Sequence, residues 1–388
     1  MRIVDIRETA IPLKSNLRNS VFDFSEMTTS VVAVLTDVVR DGRPVAGYAF
    51  NSTGSYACGA QMRSRFVPRV LSTPPEQFLD ADGTNIDPAK VAARMMQREK
   101  PGGHSERSVG IGTIEVAVWD ACAKIAGKSL PALLADRYGG TVPERIFCYV
   151  GGGWYEPGKG IPELQDEMRR HLDAGYTMVK MKVGGMSVAD DCRRIEAVIA
   201  VMGSADRVAV DANAAFDRTR ALEYAAALAP FGLRWFEEPC DPIDYASYAA
   251  VAAAYPAPIG TGENLFSTMD VENMLRFGGM RADRDILQTD VPQSYGIAQF
   301  MRTLDCTAGF GWTRASIFPH GGNQMTAAIV AGLGLGGCES YPGVFGIFGG
   351  FADDARIESG YMRVPQRPGI GFEAHSKLYP IMKELAGL

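Results

Sequence analysis

From about Arg145 onward, short β-branched runs alternate with amphipathic helical stretches at a steady interval: RIFCYV, TMVKMKV, RVAVDAN, LRWFEEP, PIGTGEN, DILQTDV, SIFPHGG and the brief CES, with PELQDEMRRHLDAG and RALEYAAALAPFG among the intervening helices. A strand followed by a helix, again and again, sets each strand parallel to the last, because a parallel partner is reached only by a crossover. This many units favour a closed barrel over an open sheet. The last unit looks curtailed.

The chain before this point has another rhythm. RIVDIRETAIPL, TTSVVAVLTDVV and GRPVAGYAFN read as a small antiparallel sheet, interrupted by the polar segment 15–27 and the turn DGRP. PAKVAARMMQR and, after PGGHSERS, the long run SVGIGTIEVAVWDACAKIAG follow as helices, the second closing on Gly127. Beyond Pro342 come Gly and Phe, then strands in IESGYMRVP and a helix in KLYPIMKELAG. The expected organisation is an N-terminal α+β domain over 1–140, a barrel over 141–345 and a C-terminal segment over 346–388 returning to the first domain.

With 46% hydrophobic and 22% charged residues among 388, the chain can bury one large core and a smaller one. The net charge of −6 carries no basic block, which argues against nucleic acid and anionic membranes as partners and for a small molecule. No run of transmembrane length occurs, and MRIVDIRETAIP alternates like a strand rather than a leader, so a cytoplasmic protein is expected. The seven cysteines include no CxxC pair and read as reduced, mostly buried thiols.

A barrel holds its chemistry at the C-terminal ends of its strands. Asp211 in VAVDAN, Glu237 in RWFEEP and Glu263 in GTGENL fall there, each 26 residues after the last, one strand-helix unit apart. Three carboxylates converging in a partly dry site need a cation, since burying them unpaired costs several kcal/mol or forces protonation. A hard divalent ion with open positions, Mg²⁺, is the expected ligand. The bland alternative is three helix caps or surface ion pairs.

Lys180 and Lys182, two apart among Met178, Val179, Met181 and Val183, share one face of their strand, which in a barrel is the interior. Neighbouring ammonium groups and a nearby cation are expected to depress their pKa values and free one amine as a base; the alternative is a solvated sheet edge. His320, one of four histidines, ends SIFPHGG, and Asp290 ends the strand before it, placed to hold the second imidazole nitrogen. Glu339 ends the eighth strand, in GGCES. The string GLGLGG follows a helix and precedes a strand, the reverse of a dinucleotide site, and reads as a turn; GGGWYEPGKG reads as a loop at the barrel mouth.

Taken together, KxK on the second barrel strand, Asp, Glu and Glu on the third to fifth, Asp and His on the sixth and seventh, and Glu on the eighth resemble the enolase superfamily, in its mandelate racemase-like group. The resemblance covers nearly the whole chain. It implies a modified TIM barrel, (β/α)7β, with an α+β capping domain formed by the N-terminal region and the C-terminal tail. Within that group, MTTSVVAVLTDVV, EKPGGHSERSVGIGTIEVAVWDACAKIAGK, VKMKVGG, GTGENLFS, PHGGNQM and VAGLGLGGCESYP are most similar to the D-tartrate dehydratases. Lys100, in REKPGGH, is thereby expected at the distal end of the substrate, with Asn51 and Thr53 of the capping loop as further contacts. That loop reads FNSTG where the resembled pattern is close to FNSNG, so Thr53 is shorter and lacks an amide.

The implied reaction is loss of water from a hydroxy diacid or sugar acid, D-tartrate to oxaloacetate foremost. Mg²⁺ binds on Asp211, Glu237 and Glu263, Lys182 removes the α-proton, Lys180 and Glu339 assist, and His320 with Asp290 protonates the departing hydroxyl. Lys182 is preferred to Lys180 as base because it stands nearer the strand's C-terminal end. A racemase or epimerase using the same Lys/His pair is the main rival. A Schiff-base aldolase and a binding barrel without turnover are the others. A homo-oligomer is expected.

Overall fold

The structure, a computed structural model, describes residues 1–388. Strands β1 (Ile3–Pro12), β2 (Thr28–Arg40) and β3 (Arg43–Phe50) form an antiparallel sheet in that order. From Thr29 to Leu35 every residue of β2 is buried, the pattern of a strand covered on both faces. Helices α1 (Pro88–Met96), α2 (Glu106–Ile125) and α3 (Leu130–Tyr138) complete this part. Helix α2 is buried nearly all round and lies against the sheet at Gly47, where a Cβ would fall 2.1 Å from the Ala117 carbonyl oxygen. Only glycine allows that approach.

The barrel runs through β4 (Arg145–Gly152), α4 (Ile161–Asp173), β5 (Val179–Lys182), α5 (Val188–Met202), β6 (Val208–Asp211), α6 (Arg218–Leu228), β7 (Phe236–Glu237), α7 (Tyr245–Ala254), β8 (Ile259–Thr261), α8 (Thr268–Phe277), β9 (Ile286–Leu287), α9 (Ile297–Gly309), α10 (Gln324–Leu333) and β10 (Cys338–Ser340). Strands β4 to β9 are parallel neighbours in sequence order, and β10 returns to pair in parallel with β4. The seventh stave, residues 317–320, is irregular. Phe318 N donates to Leu287 O at 2.8 Å, His320 N to Gln288 O at 3.2 Å, and Gly336 N reaches Ile317 O at 2.9 Å. The (β/α)7β order read from the sequence is therefore present, with one stave lacking a regular ladder.

Tyr149, Met178, Ala209, Trp235, Ile286 and Phe318 pack together as an apolar layer inside the barrel. Residues two further along a strand share its face. That step leads from Met178 to Lys180, from Ala209 to Asp211, from Trp235 to Glu237, from Ile286 to Gln288 and from Phe318 to His320. The apolar floor thus fixes the height of a polar layer above it.

The C-terminal segment, expected to return to the capping domain, contacts both parts of the molecule. Strands β11 (Ile357–Glu358) and β12 (Tyr361–Arg363) form a hairpin that pairs with the start of β4, because Arg145–Phe147 still offers unpaired backbone there. The last helix, α11 (Tyr379–Ala386), does reach the sheet, where Arg7 Nη1 on β1 donates to the carbonyls of Leu385 and Ala386 at 3.2 and 3.0 Å. All seven cysteines are free, and no helix is long and apolar enough to cross a membrane.

Candidate active site

The acids meet at the mouth of the barrel. Lys182, Asp211 and Glu237 are register partners across β5, β6 and β7, so their side chains leave the strands side by side. Glu263 comes two residues beyond β8, after Gly262 at φ +137°, a conformation that suits glycine and turns the chain inward. One carboxylate oxygen from each of Asp211, Glu237 and Glu263 lies within 4.8 Å of the others. Asp211 and Glu237 are fully buried, so this is neither a set of surface caps nor a set of surface ion pairs.

Lys180 is buried and faces three acids: Glu237 Oε1 at 2.6 Å, Glu339 Oε1 at 2.7 Å and Asp211 Oδ2 at 3.5 Å. Burial alone would lower its pKa, but Glu237, Glu339, Tyr341 and Asp211 raise it well above the ordinary lysine value. Its nearest charges are thus carboxylates rather than the second ammonium group. Lys182 Nζ is 2.5 Å from Asp211 Oδ2 and lies over the Trp154 ring, 4.7 Å from its centroid. The two lysines are counter-charges to the acids.

The carboxylates remain short of positive charge. Burial raises the Glu237 carboxyl to about 7, against the pull of Lys180. Its second oxygen accepts from Trp235 Nε1 at 2.8 Å and Gln288 Nε2 at 2.7 Å, so the floor layer orients it. A fourth acid, Glu238, is also fully buried, with φ at +41°. Burial first, then Glu263, Asp211 and Glu237, push its carboxyl well above the usual range. Asn264 Nδ2 donates to Glu238 Oε2 at 2.8 Å and approaches Glu263 Oε1 at 3.4 Å. Such a surplus of buried carboxylates suits a divalent cation.

Across the mouth, His320 Nδ1 meets Asp290 Oδ2 at 2.8 Å and His320 Nε2 lies 3.5 Å from Glu263 Oε2. Burial disfavours the charged ring, yet Glu263 and then Asp290 outweigh it and raise the pKa to about 9. Glu339 sits on β10, its carboxyl lowered because Lys180 and then His320 overcome the effect of burial.

Lys182, His320, Glu263 and Thr53 line one small cavity together with Asn19, Asn213, Asn264, Gln293 and the aromatic rings of Phe22, Phe24, Trp154, Tyr341 and Phe345. The segment 15–27 lies over the site: Phe24 packs against Trp154 and Phe345, and Ser20 Oγ donates to Ala212 O at 2.9 Å. The cavity, partly open, has room for about 30 Å³ of water-sized solvent.

Two of the expected substrate contacts are not at this cavity. Lys100 is exposed, on the connection between α1 and α2, where Arg107 Nη1 holds its carbonyl at 2.7 Å. Asn51 is buried, and its amide serves its own domain, accepting from Ser30 N and donating to Ser55 O at 2.8 Å. It shapes the capping loop, while Thr53 faces the cavity. Sequence reasoning passed over Gln288, Asn213, Asn264, Gln293, Glu238 and Trp154. Gln288 carried a signal, an amide at the inward position of an otherwise apolar strand; the others come from loops with no periodicity to read.

Residues 163–378 match the family described as Enolase C-terminal domain-like. The chain is 28% identical over 349 residues to L-talarate/galactarate dehydratase of Salmonella typhimurium, covering 89% of this chain and 81% of that one. It is 28% identical over 267 residues to arabinonate dehydratase of Saccharolobus solfataricus, 68% of this chain and 69% of that one. Among solved structures, L-talarate dehydratase from Polaromonas sp. JS666, complexed with Mg and L-glucarate, is similar with a TM-score of 0.73 at 26% identity, covering 95% of this chain and 94% of that one. By this family match over more than half its length, the chain belongs to the enolase superfamily, in the mandelate racemase/muconate lactonizing group.

Proposed function

We propose that the protein is a Mg²⁺-dependent dehydratase of a hydroxy acid of the acid-sugar class. The observation that carries this is the placing of an amine, Lys182, and an imidazole, His320, around one cluster of three converging carboxylates. Asp211, Glu237 and Glu263 would hold the ion, and their burial with too little positive charge fits it. When bound, Mg²⁺ supplies the Lewis acidity that draws charge from the substrate carboxylate and acidifies the adjacent C–H bond.

The chain's own groups do the proton work. Lys182, whose Nζ lies 2.5 Å from Asp211 Oδ2 at the cavity, takes the α-proton. Lys180, kept charged by Glu237 and Glu339, stabilises negative charge accumulating on the substrate. As the C–O bond at the β-carbon breaks, His320 gives its proton to the leaving hydroxyl, which departs as water; the enol left behind becomes the keto acid.

D-Tartrate to oxaloacetate is the finer reading. Supporting it is the resemblance of the capping and barrel stretches, among them VKMKVGG, GTGENLFS and PHGGNQM, to the D-tartrate dehydratases. Purified protein with Mg²⁺ should be offered D-tartrate, L-talarate, galactarate and arabinonate, with keto-acid formation and α-deuterium incorporation followed together. Keto acid from one of them, lost with EDTA and restored by Mg²⁺, is expected. Inversion with deuterium uptake and no loss of water would replace dehydration by racemisation.

A further inference from the structure

Gln293 lies three residues after Asp290, in the turn that follows β9, and is buried. Its hydrogen bonds run in two directions. On the barrel side, its backbone N–H donates to Asp290 Oδ1 at 3.0 Å and its side-chain Nε2 approaches Asp290 Oδ2 at 3.4 Å. On the capping side, Nε2 donates to the Thr53 carbonyl at 3.2 Å, and Oε1 accepts from the Ser55 hydroxyl at 3.0 Å. Asp290 Oδ2 is the oxygen that meets His320 Nδ1. Thr53, Gln293 and His320 all line the cavity.

A buried chain of polar contacts therefore leads from the capping loop to the imidazole. An amide is suited to this place, since it donates to one carbonyl and accepts from one hydroxyl at once, which no carboxylate or aliphatic side chain does. The backbone N–H of Gln293 holds Asp290 Oδ1, and its side-chain amide bears on Oδ2, the oxygen on which the orientation of the imidazole depends.

We infer that Gln293 is a positioning residue that ties the His320–Asp290 pair to the seated position of capping loop 51–56, so that protonation of the leaving hydroxyl is efficient only when that loop is in place over the substrate. This rests on the dehydration reading above. The loop residue facing the substrate, Thr53, thereby influences the proton-donating step as well as binding.

The test compares two rates in the same enzyme. In Gln293→Leu, dehydration should fall about 10- to 100-fold, the range seen when groups orienting a functional side chain are removed, while α-proton exchange into deuterated water and Mg²⁺ affinity stay near wild type. Ser55→Ala, which removes only the capping-side hydroxyl, should move the ratio of dehydration to exchange in the same direction by less, and it serves alone should Gln293→Leu not fold. Equal losses of both rates, or no loss of dehydration, would overturn the inference. If no acid is dehydrated by the wild type, the dehydration reading fails, and imidazole NMR still reads the coupling: an unchanged His320 Nδ1–H resonance in Gln293→Leu overturns it, and a displaced one supports it.

Discussion

In the proposed dehydration Lys182 and His320 carry separate steps, and that separation is measurable. Lys182→Ala removes the proton acceptor, so α-proton exchange and dehydration should both fall by about 10² to 10⁴. His320→Asn keeps a polar group but supplies no acidic proton; dehydration should fall comparably while exchange remains measurable by deuterium incorporation. Activity of either variant equal to wild type would refute the roles. The two lysines were legible because a period of two within an apolar strand admits one interior face. Their pairing was not legible: that Lys180 faces Glu237 and Glu339 depends on staves 57 and 159 residues away closing beside it.

The segment 15–27 lines part of the cavity through Asn19, Phe22 and Phe24. Phe24 is buried against Trp154 and Phe345, with ring centroids 5.7 and 5.0 Å away. Phe24→Ala should leave a void at the point where this segment is held, at a cost of about 3 kcal/mol or more if the segment cannot collapse. The expected outcome is faster amide hydrogen exchange within 15–27 with little change in the barrel strands, together with a lower turnover from poorer exclusion of water; uniform loss of protection everywhere would instead make Phe24 part of the global core. As a sequence the segment is polar and aperiodic, and its position over the barrel mouth is set by contacts with residues far along the chain. Lys100 shows the same limit in reverse: its neighbours read as functional, but the connection carrying it runs outside the cavity.

At the scale of the molecule, the capping domain and barrel are joined by Glu115 of α2, whose two oxygens accept from Ile297 N at 2.8 Å and Ala298 N at 2.9 Å at the start of α9. Burial raises this carboxyl to about 7, against the effect of those backbone donors. The folded protein therefore holds this proton more tightly than the unfolded chain, whose carboxyl titrates near 4.5. Its contribution is fully present below that lower value and diminishes as pH rises through about 7. The stability of wild type relative to Glu115→Gln should accordingly be greater at pH 5 than at pH 8, read from urea unfolding midpoints at each pH. A difference that grows with pH would contradict it. Addition of Mg²⁺ should raise Tm in proportion to the logarithm of its concentration above Kd, and Asp211→Asn should blunt that response.

Periodicity along the chain was enough to specify the barrel, the height of its polar layer and the residues Lys180, Lys182, Asp211, Glu237 and His320 within it, since each follows from spacing between near neighbours. Glu263 and Asp290 were legible from the motif around them, though both lie beyond their strands. Tertiary structure decided which acid each lysine meets, which loops cover the mouth, the burial of Glu238 and the link through Gln293. Those depend on where the barrel closes and how the two domains press together, and contacts between residues hundreds of positions apart leave no local pattern in the sequence.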